Sequence, residues 1–330
     1  MKLVTYASDG AEHLGALISG GNVLDLNHAA ALRGLADVPS SMIELLGDWE
    51  RGLPLVAGLV AGPPGGAVRE LGEVALLAPV PRPPRIRDYM TYEQHIAGAG
   101  VAVPPAFAQA PACYKGNPFT VTGPETEICW PGYTDQLDYE LEIGFYVAGH
   151  GSDLSVEEAG AHVAGVTLFN DVSARDIQML EMTMMIGPSK GKDFCNVMGP
   201  CLVTIDEVDE FGIEMVARVN GEEWSRGTSA SRRFSFAQLL AWASWAEPLV
   251  PGEFLAVGTV GGGCGMELDR WIQPGDVVEL EATGIGVLRN RIGARQKRVD
   301  GNGLDFYPGA PRFEPRPAGA VGVPSAAGSE

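Results

Sequence analysis

The chain has 330 residues, 45% of them hydrophobic and 20% charged, enough apolar surface for one large domain with a smaller companion. Its formal net charge of -19 sets it against nucleic acid and anionic membrane surfaces, which would repel so acidic a body, and leaves small molecules as the expected partners. The five cysteines (Cys113, Cys129, Cys195, Cys201, Cys264) are scattered with no C-x-x-C pair, which argues against zinc or redox motifs and for free, mostly buried thiols.

Residues 1–10 lack the apolar core of a signal peptide, and no stretch approaches the ~18 apolar residues of a membrane span, so a cytoplasmic protein is expected. Residues 1–78 read as a small α+β domain. Strand-like runs at 13–19 and 22–26 flank a Gly20-Gly21 turn, and Ser41 with Glu44 offers a capping box for a short helix. Pro79, Pro81, Pro83 and Pro84 cannot be helical and predict an extended link into a second domain, 79–307.

That domain is strand-rich, with strands expected at 137–147, 163–169, 215–219 and 277–281, the last after a Pro274-Gly275-Asp276 turn. Ser155 with Glu158 and Ser235 with Gln238 predict two capped helices, and a third is expected over 172–186. The methionine run (Met179, Met182, Met184, Met185) reads as helix core or an adaptable pocket wall, and Trp242 and Trp245, spaced i, i+3, as core. Residues 308–330, rich in Pro, Gly, Ala and Ser, are expected to form a mobile tail.

Along 137–145 the residues alternate: Asp138, Glu140 and Glu142 share one face, while Leu137, Tyr139, Leu141, Ile143 and Phe145 share the other. Like charges two residues apart on a strand repel, so that face must meet either water or a cation. Downstream, Asp171, Arg175 and Gln178 fall at helical i, i+4, i+7 spacing and would line one face of the helix expected there. The stretch Gly187-Pro188-Ser189-Lys190-Gly191 matches G-x-S-x-G, but it follows a helix where a nucleophile elbow needs a strand, and no histidine follows His162 to complete a triad.

Three ordered motifs, Leu137-Asp138-Tyr139-Glu140-Leu141-Glu142, then Asn170-Asp171-Val172-Ser173-Ala174-Arg175-Asp176-Ile177-Gln178, then Gly191-Lys192-Asp193-Phe194, closely resemble the fumarylacetoacetate hydrolase superfamily over roughly residues 85 to 293. The resemblance implies an α+β, strand-rich fold, a mixed β-sandwich or roll behind the small N-terminal domain. It implies metal ligation by Glu140, Glu142 and Asp171. An aspartate several residues before a Gln-His pair, Asp88 ahead of Gln94-His95, would be the fourth ligand, with His95 as base and Glu267 as the acid that orients it. Tyr114 and Thr259 correspond to substrate-binding positions, together with Arg175 and Gln178, while Lys192, Arg175 and Gln178 would stabilise developing negative charge.

An all-carboxylate donor set suits a hard ion, Mg2+ first and Ca2+ or Mn2+ next, and monodentate binding by four would leave two octahedral positions for a chelating 2-oxo acid or 1,3-diketone. Four carboxylates, a divalent ion, Arg175 and Lys192 would together be neutral. The expected activity is metal-dependent hydrolysis of a C-C bond in an acylpyruvate or β-diketo acid by a homodimer. The alternatives are a decarboxylase, isomerase or hydratase of a 2-oxo acid on the same fold, and a binding protein stabilised by its metal.

Overall fold

The computed structural model describes residues 1–297; the tail expected at 308–330 lies outside the described residues. Its centre is a twelve-stranded sheet whose main path runs Val68–Glu70, Asn22–Asp25, Ala11–Ile18, Lys2–Ser8, Asn196–Thr204, Val163–Asp171, Leu141–Val147, Phe254–Ala256, Ile86–Met90 and Ala112–Gly116. The path crosses the boundary expected near residue 78, because Lys2 and Leu3 pair with Val203 and Leu202. A five-stranded sheet (Glu222–Thr228, Glu214–Val219, Val277–Ala282, Gly286–Arg295, Ile128–Trp130) packs against the large one.

Both faces of the central strands are buried. Leu141, Ile143, Phe145 and Val147 point into the core shared with the five-stranded sheet, which also takes in Met215, Ala217 and Leu280. Tyr146 and Ala148, on the opposite face, join Phe169, Met198 and Phe254 beneath the N-terminal helices Leu26–Leu32, Met42–Gly47 and Trp49–Ala61. Glu142 belongs to this second face by alternation, so its carboxylate is built into an interior and not onto a wet surface.

Several sequence expectations change in detail. The strand expected over 137–147 is broken, into Leu137–Asp138 and Leu141–Val147; the first piece pairs with Ser173–Ala174 instead of joining the large sheet. The helix expected over 172–186 is shorter, Arg175–Thr183, because that pairing keeps Ser173 and Ala174 extended. Ser155 and Ser235 form complete capping boxes. At Ser41 only half of one forms, since Glu44 reaches one residue further back and accepts from the backbone N–H and hydroxyl of Ser40. Trp242 and Trp245 are not core: they are 41% and 60% exposed and pack on each other. Three of the five cysteines are buried and all are free.

Gly144 marks a point of tight packing beside the site. A Cβ there would collide with the Phe254 ring, which lies across it to meet Tyr146 and Phe169 at ring separations of 5.0 and 5.3 Å. Gly144→Ala should therefore cost about 1–3 kcal/mol of stability by overpacking. Chemical denaturation should show this as a lower midpoint at unchanged slope, and an unchanged midpoint would contradict the packing described.

Candidate metal centre

Four neighbouring segments each contribute one acid to a single point. Asp88 lies within Ile86–Met90, in register with Ala256, and Glu142 lies near the start of Leu141–Val147. Asp171 is the last residue of Val163–Asp171, and Glu140 occupies the break before Leu141. One oxygen from each of these four carboxylates lies within 4.8 Å of the others, and all four residues are buried. Asp171 is therefore a strand-end residue and not the first turn of a helix, so the i, i+4, i+7 face does not exist; Arg175 and Gln178 alone are helical.

The group is held by cations and hydroxyls. Lys192 Nζ donates to Glu140 Oε2 at 2.5 Å and to Asp171, Tyr114 Oη–H donates to Asp171 Oδ2 at 2.7 Å, and Thr259 Oγ1–H donates to Glu142 Oε1 at 2.8 Å. Arg175 reaches Glu140 Oε1 at 2.8 Å with one nitrogen and Asp138 Oδ2 at 2.8 Å with another, while also donating to Gln178 Oε1 at 2.9 Å. Its guanidinium is shared among these three partners and is not among the groups lining the cavity, so in this structure it supports Glu140. Tyr114, Thr259 and Lys192 line the cavity and also support the carboxylates, Tyr114 holding Asp171, Thr259 holding Glu142 and Lys192 holding both Glu140 and Asp171.

Asp138 is the residue whose role sequence reasoning missed. Fully buried, it accepts from Arg175 and from the backbone N–H groups of Gly265 and Met266 at 2.8 and 3.1 Å. It thus ties the carboxylate cluster to the helix Gly265–Leu268 that carries Glu267. Its place in the alternation with Glu140 and Glu142 was visible, but the break after it was not. As a fifth buried carboxylate it also upsets the neutral balance expected from sequence: with a divalent ion, Lys192 and Arg175 counted, one negative charge is left over.

The electrostatics report crowding. Burial, then the charges of Glu142 and Asp171, push Asp88 well above the ordinary carboxylate range; burial, then Glu140 and Asp171, do the same to Glu142. Burial opposes ionisation of Glu140 too, but Lys192 and then Arg175 outweigh it and hold that carboxyl below the ordinary range. Asp88 Oδ1, Glu142 Oε2 and Asp171 Oδ1 are buried with no hydrogen-bond partner among the described residues. Orphaned carboxylate oxygens aimed into one acidic cluster are what a bound cation satisfies, so these residues fit a hard divalent ion.

Opposite the carboxylates, His95 Nδ1 lies 2.8 Å from Glu267 Oε2, and the backbone N–H of Gly262 donates to Glu267 Oε1 at 2.9 Å. The helix Glu93–Gly98 brings His95 this close because Gly98 lacks a side chain; a Cβ there would strike the Glu267 carboxylate. His95, Asp88, Glu142, Lys192 and Gln178 share one cavity of about 450 Å³. Met182 lines its wall, while Met184 and Met185 are 61% and 94% exposed, so the helix-core reading of the methionine run does not hold.

Comparison with known proteins places this geometry. The family model for the fumarylacetoacetate (FAA) hydrolase C-terminal region matches residues 85–293. Oxaloacetate tautomerase FAHD2A, mitochondrial, of Bos taurus is 31% identical over 277 residues, covering 83% of this chain and 85% of the bovine protein. Oxaloacetate tautomerase YisK of Bacillus subtilis is 31% identical over 309 residues, 89% of this chain and 100% of its own. Among solved structures, a fumarylacetoacetate hydrolase from Exiguobacterium antarcticum aligns with a TM-score of 0.68 at 29% identity, covering 89% of this chain and 100% of that one. A putative HpcE protein from Mycobacterium smegmatis aligns with a TM-score of 0.73 at 26% identity, covering 89% and 99%. No helix among the described residues is long and apolar enough to cross a membrane.

Raised carboxyl groups link ion binding to pH. Asp88 and Glu142 have folded-state values above their unfolded ones, so their contribution to stability is whole below about pH 4 and is lost as pH rises through the raised values. A cation that displaces their protons cancels that loss. The increase in Tm on adding Mg2+ should therefore grow as pH rises above the ordinary carboxylate range of about 4, corresponding to about 2.7 kcal/mol at a hundredfold excess over Kd. Glu142→Gln should largely abolish it, and a pH-independent shift retained in that variant would contradict the arrangement.

Proposed function

The chain belongs to the fumarylacetoacetate hydrolase family, and from that footing we propose that it is a divalent-metal-dependent enzyme interconverting the keto and enol forms of a small 2-oxo dicarboxylic acid of the oxaloacetate type. The observation that carries this reading is that Asp88, Glu140 and Glu142 of the four convergent carboxylates line one cavity with His95, whose Nδ1 is backed by Glu267. Support also comes from relatives named oxaloacetate tautomerases along most of the chain.

Asp88, Glu140, Glu142 and Asp171 would hold the ion, Mg2+ by the hardness of four oxygens. Once bound, it supplies Lewis-acid polarisation of the substrate carbonyl. Glu267 accepts the Nδ1 proton of neutral His95 in a hydrogen bond, which leaves the Nε2 lone pair free to take a proton from the carbon next to the carbonyl. Returning that proton to oxygen completes the exchange. Gln178 spends its carbonyl oxygen on Arg175, leaving its amide hydrogens for a substrate carboxylate. Lys192, fixed between Glu140 and Asp171, keeps the acidic wall from repelling an anionic substrate.

The same dyad favours a second reading, hydrolysis of the C-C bond of an acylpyruvate, because a carboxylate-backed imidazole can equally act as base toward an attacking water. Both need the same polarised carbonyl and differ in whether water attacks. Following the enol absorbance of oxaloacetate and, separately, acylpyruvate loss, each with and without Mg2+, distinguishes them. Tautomerisation should require Mg2+, and His95→Ala should slow it by about 10²–10⁴-fold while keeping the Mg2+-induced rise in Tm. Acylpyruvate cleavage with no acceleration of the oxaloacetate enol–keto exchange would reverse the assignment in favour of the hydrolase.

A further inference from the structure

Beside the carboxylate centre stands a second group of donors with different chemistry. His95, Cys264 and Glu267 each offer one ligand atom, a ring nitrogen, a sulfur and a carboxylate oxygen, within 4.8 Å of one another. Two contacts already join them: Cys264 Sγ–H donates to Glu267 Oε2 at 3.3 Å, and His95 Nδ1 is 2.8 Å from the same oxygen. Cys264 is fully buried, whereas His95 is 14% exposed and lines the cavity, so the group opens onto the cavity through the imidazole. Proton transfer by His95 and Glu267 has no use for the sulfur.

We propose that His95, Cys264 and Glu267 form a second cation site, selective for a thiophilic divalent ion such as Zn2+, whose occupation stops turnover. Nitrogen, sulfur and oxygen donors, completed by a water as fourth ligand, would make a tetrahedral zinc set. Bonds of about 2.0–2.3 Å put tetrahedral donors roughly 3.3–3.8 Å apart, a span the three reach with small adjustments. Glu267 keeps its anchor during such a shift, because its other oxygen is held by the Gly262 N–H. The two sites sort ions by softness: an all-oxygen set that suits Mg2+, and a sulfur-containing set that Mg2+, reluctant to shed water, does not contest. On binding, the thiol proton leaves to solvent and a sulfur–zinc bond forms, with no change of oxidation state.

Inhibition follows from the imidazole. A cation on Nδ1 leaves the ring's remaining proton on Nε2, so no lone pair faces the substrate; a cation on Nε2 takes that lone pair directly. The loss of turnover rests on the role proposed above for His95, whereas residence of the ion does not.

The test uses the full chain saturated with Mg2+. One equivalent of Cd2+, a spectroscopic stand-in for Zn2+, should produce a near-ultraviolet thiolate-to-cadmium charge-transfer band that survives Cys113→Ser and is lost in Cys264→Ser, with matching circular dichroism showing that the fold is intact. Zn2+ should inhibit the wild type and Cys113→Ser. Its half-inhibiting concentration should rise roughly tenfold or more in Cys264→Ser, each rate taken relative to that variant's own Mg2+ activity. Absence of the band, or a band unaffected by Cys264→Ser, would overturn the site. So would zinc inhibition that excess Mg2+ relieves equally in both proteins, since that places the zinc on the carboxylates. A Cys264-dependent band with undiminished turnover would uphold the site and remove His95 from the role of base.

Discussion

Lys192 and Arg175 are buried among the carboxylates of Asp88, Asp138, Glu140, Glu142 and Asp171, and neither cation could stay out of water without them. Taking that many like charges from water is equally prohibitive unless opposite charge goes with them, and the two cations are spent on that task. Their pairing is incomplete, which is why oxygens of Asp88, Glu142 and Asp171 are left without hydrogen-bond partners among the described residues. The cluster carries a deficit of positive charge, and a hard divalent cation would fit it and reduce that deficit.

The strands make this arrangement possible by burying both of their faces. Leu141, Ile143 and Phe145 anchor one side in the core under the five-stranded sheet, so Glu142 on the other side cannot swing away from its neighbours. The short pairing of Leu137–Asp138 with Ser173–Ala174 then sets Arg175 against Asp138 and Glu140. Asp138 extends the chain of contacts to the backbone of Gly265 and Met266, and so to Glu267 and His95. The acidic wall and the imidazole are therefore registered to one another through a buried carboxylate, alongside the bridge of Glu140 with Cys264 and the Thr259 bond to Glu142.

Much of this was legible in the sequence. The convergence of Asp88, Glu140, Glu142 and Asp171 and the approach of His95 to Glu267 follow motif order, and strands such as Asn22–Asp25, Glu214–Val219 and Val277–Ala282 were announced by alternation and turn residues. What could not be read was tertiary. The break at Tyr139 and Glu140 depends on a partner strand distant in the chain, and so does the loss of the first helical turn after Asp171. Nothing local shows that Asp138, Glu140 and Gln178 all converge on Arg175. The exposure of Trp242, Trp245, Met184 and Met185 likewise defies local hydrophobicity, which reports what a side chain prefers and not which neighbours arrive to cover it.

The pairing of Lys2–Ser8 with Asn196–Thr204 has a consequence for how the molecule is made. Lys2 leaves the ribosome long before Val203, its partner, exists, and at translation speeds of about 5–20 residues per second the delay is roughly 10–40 s. For that interval the edge at Lys2 and Leu3 stays open, a template for mispairing, while Ala75 and Leu76 can already cover it at Tyr6 and Ala7. The strand that finally closes it also borders Val163–Asp171, so seating the amino-terminal layer and setting one wall of the acidic cluster are a single late event in assembly.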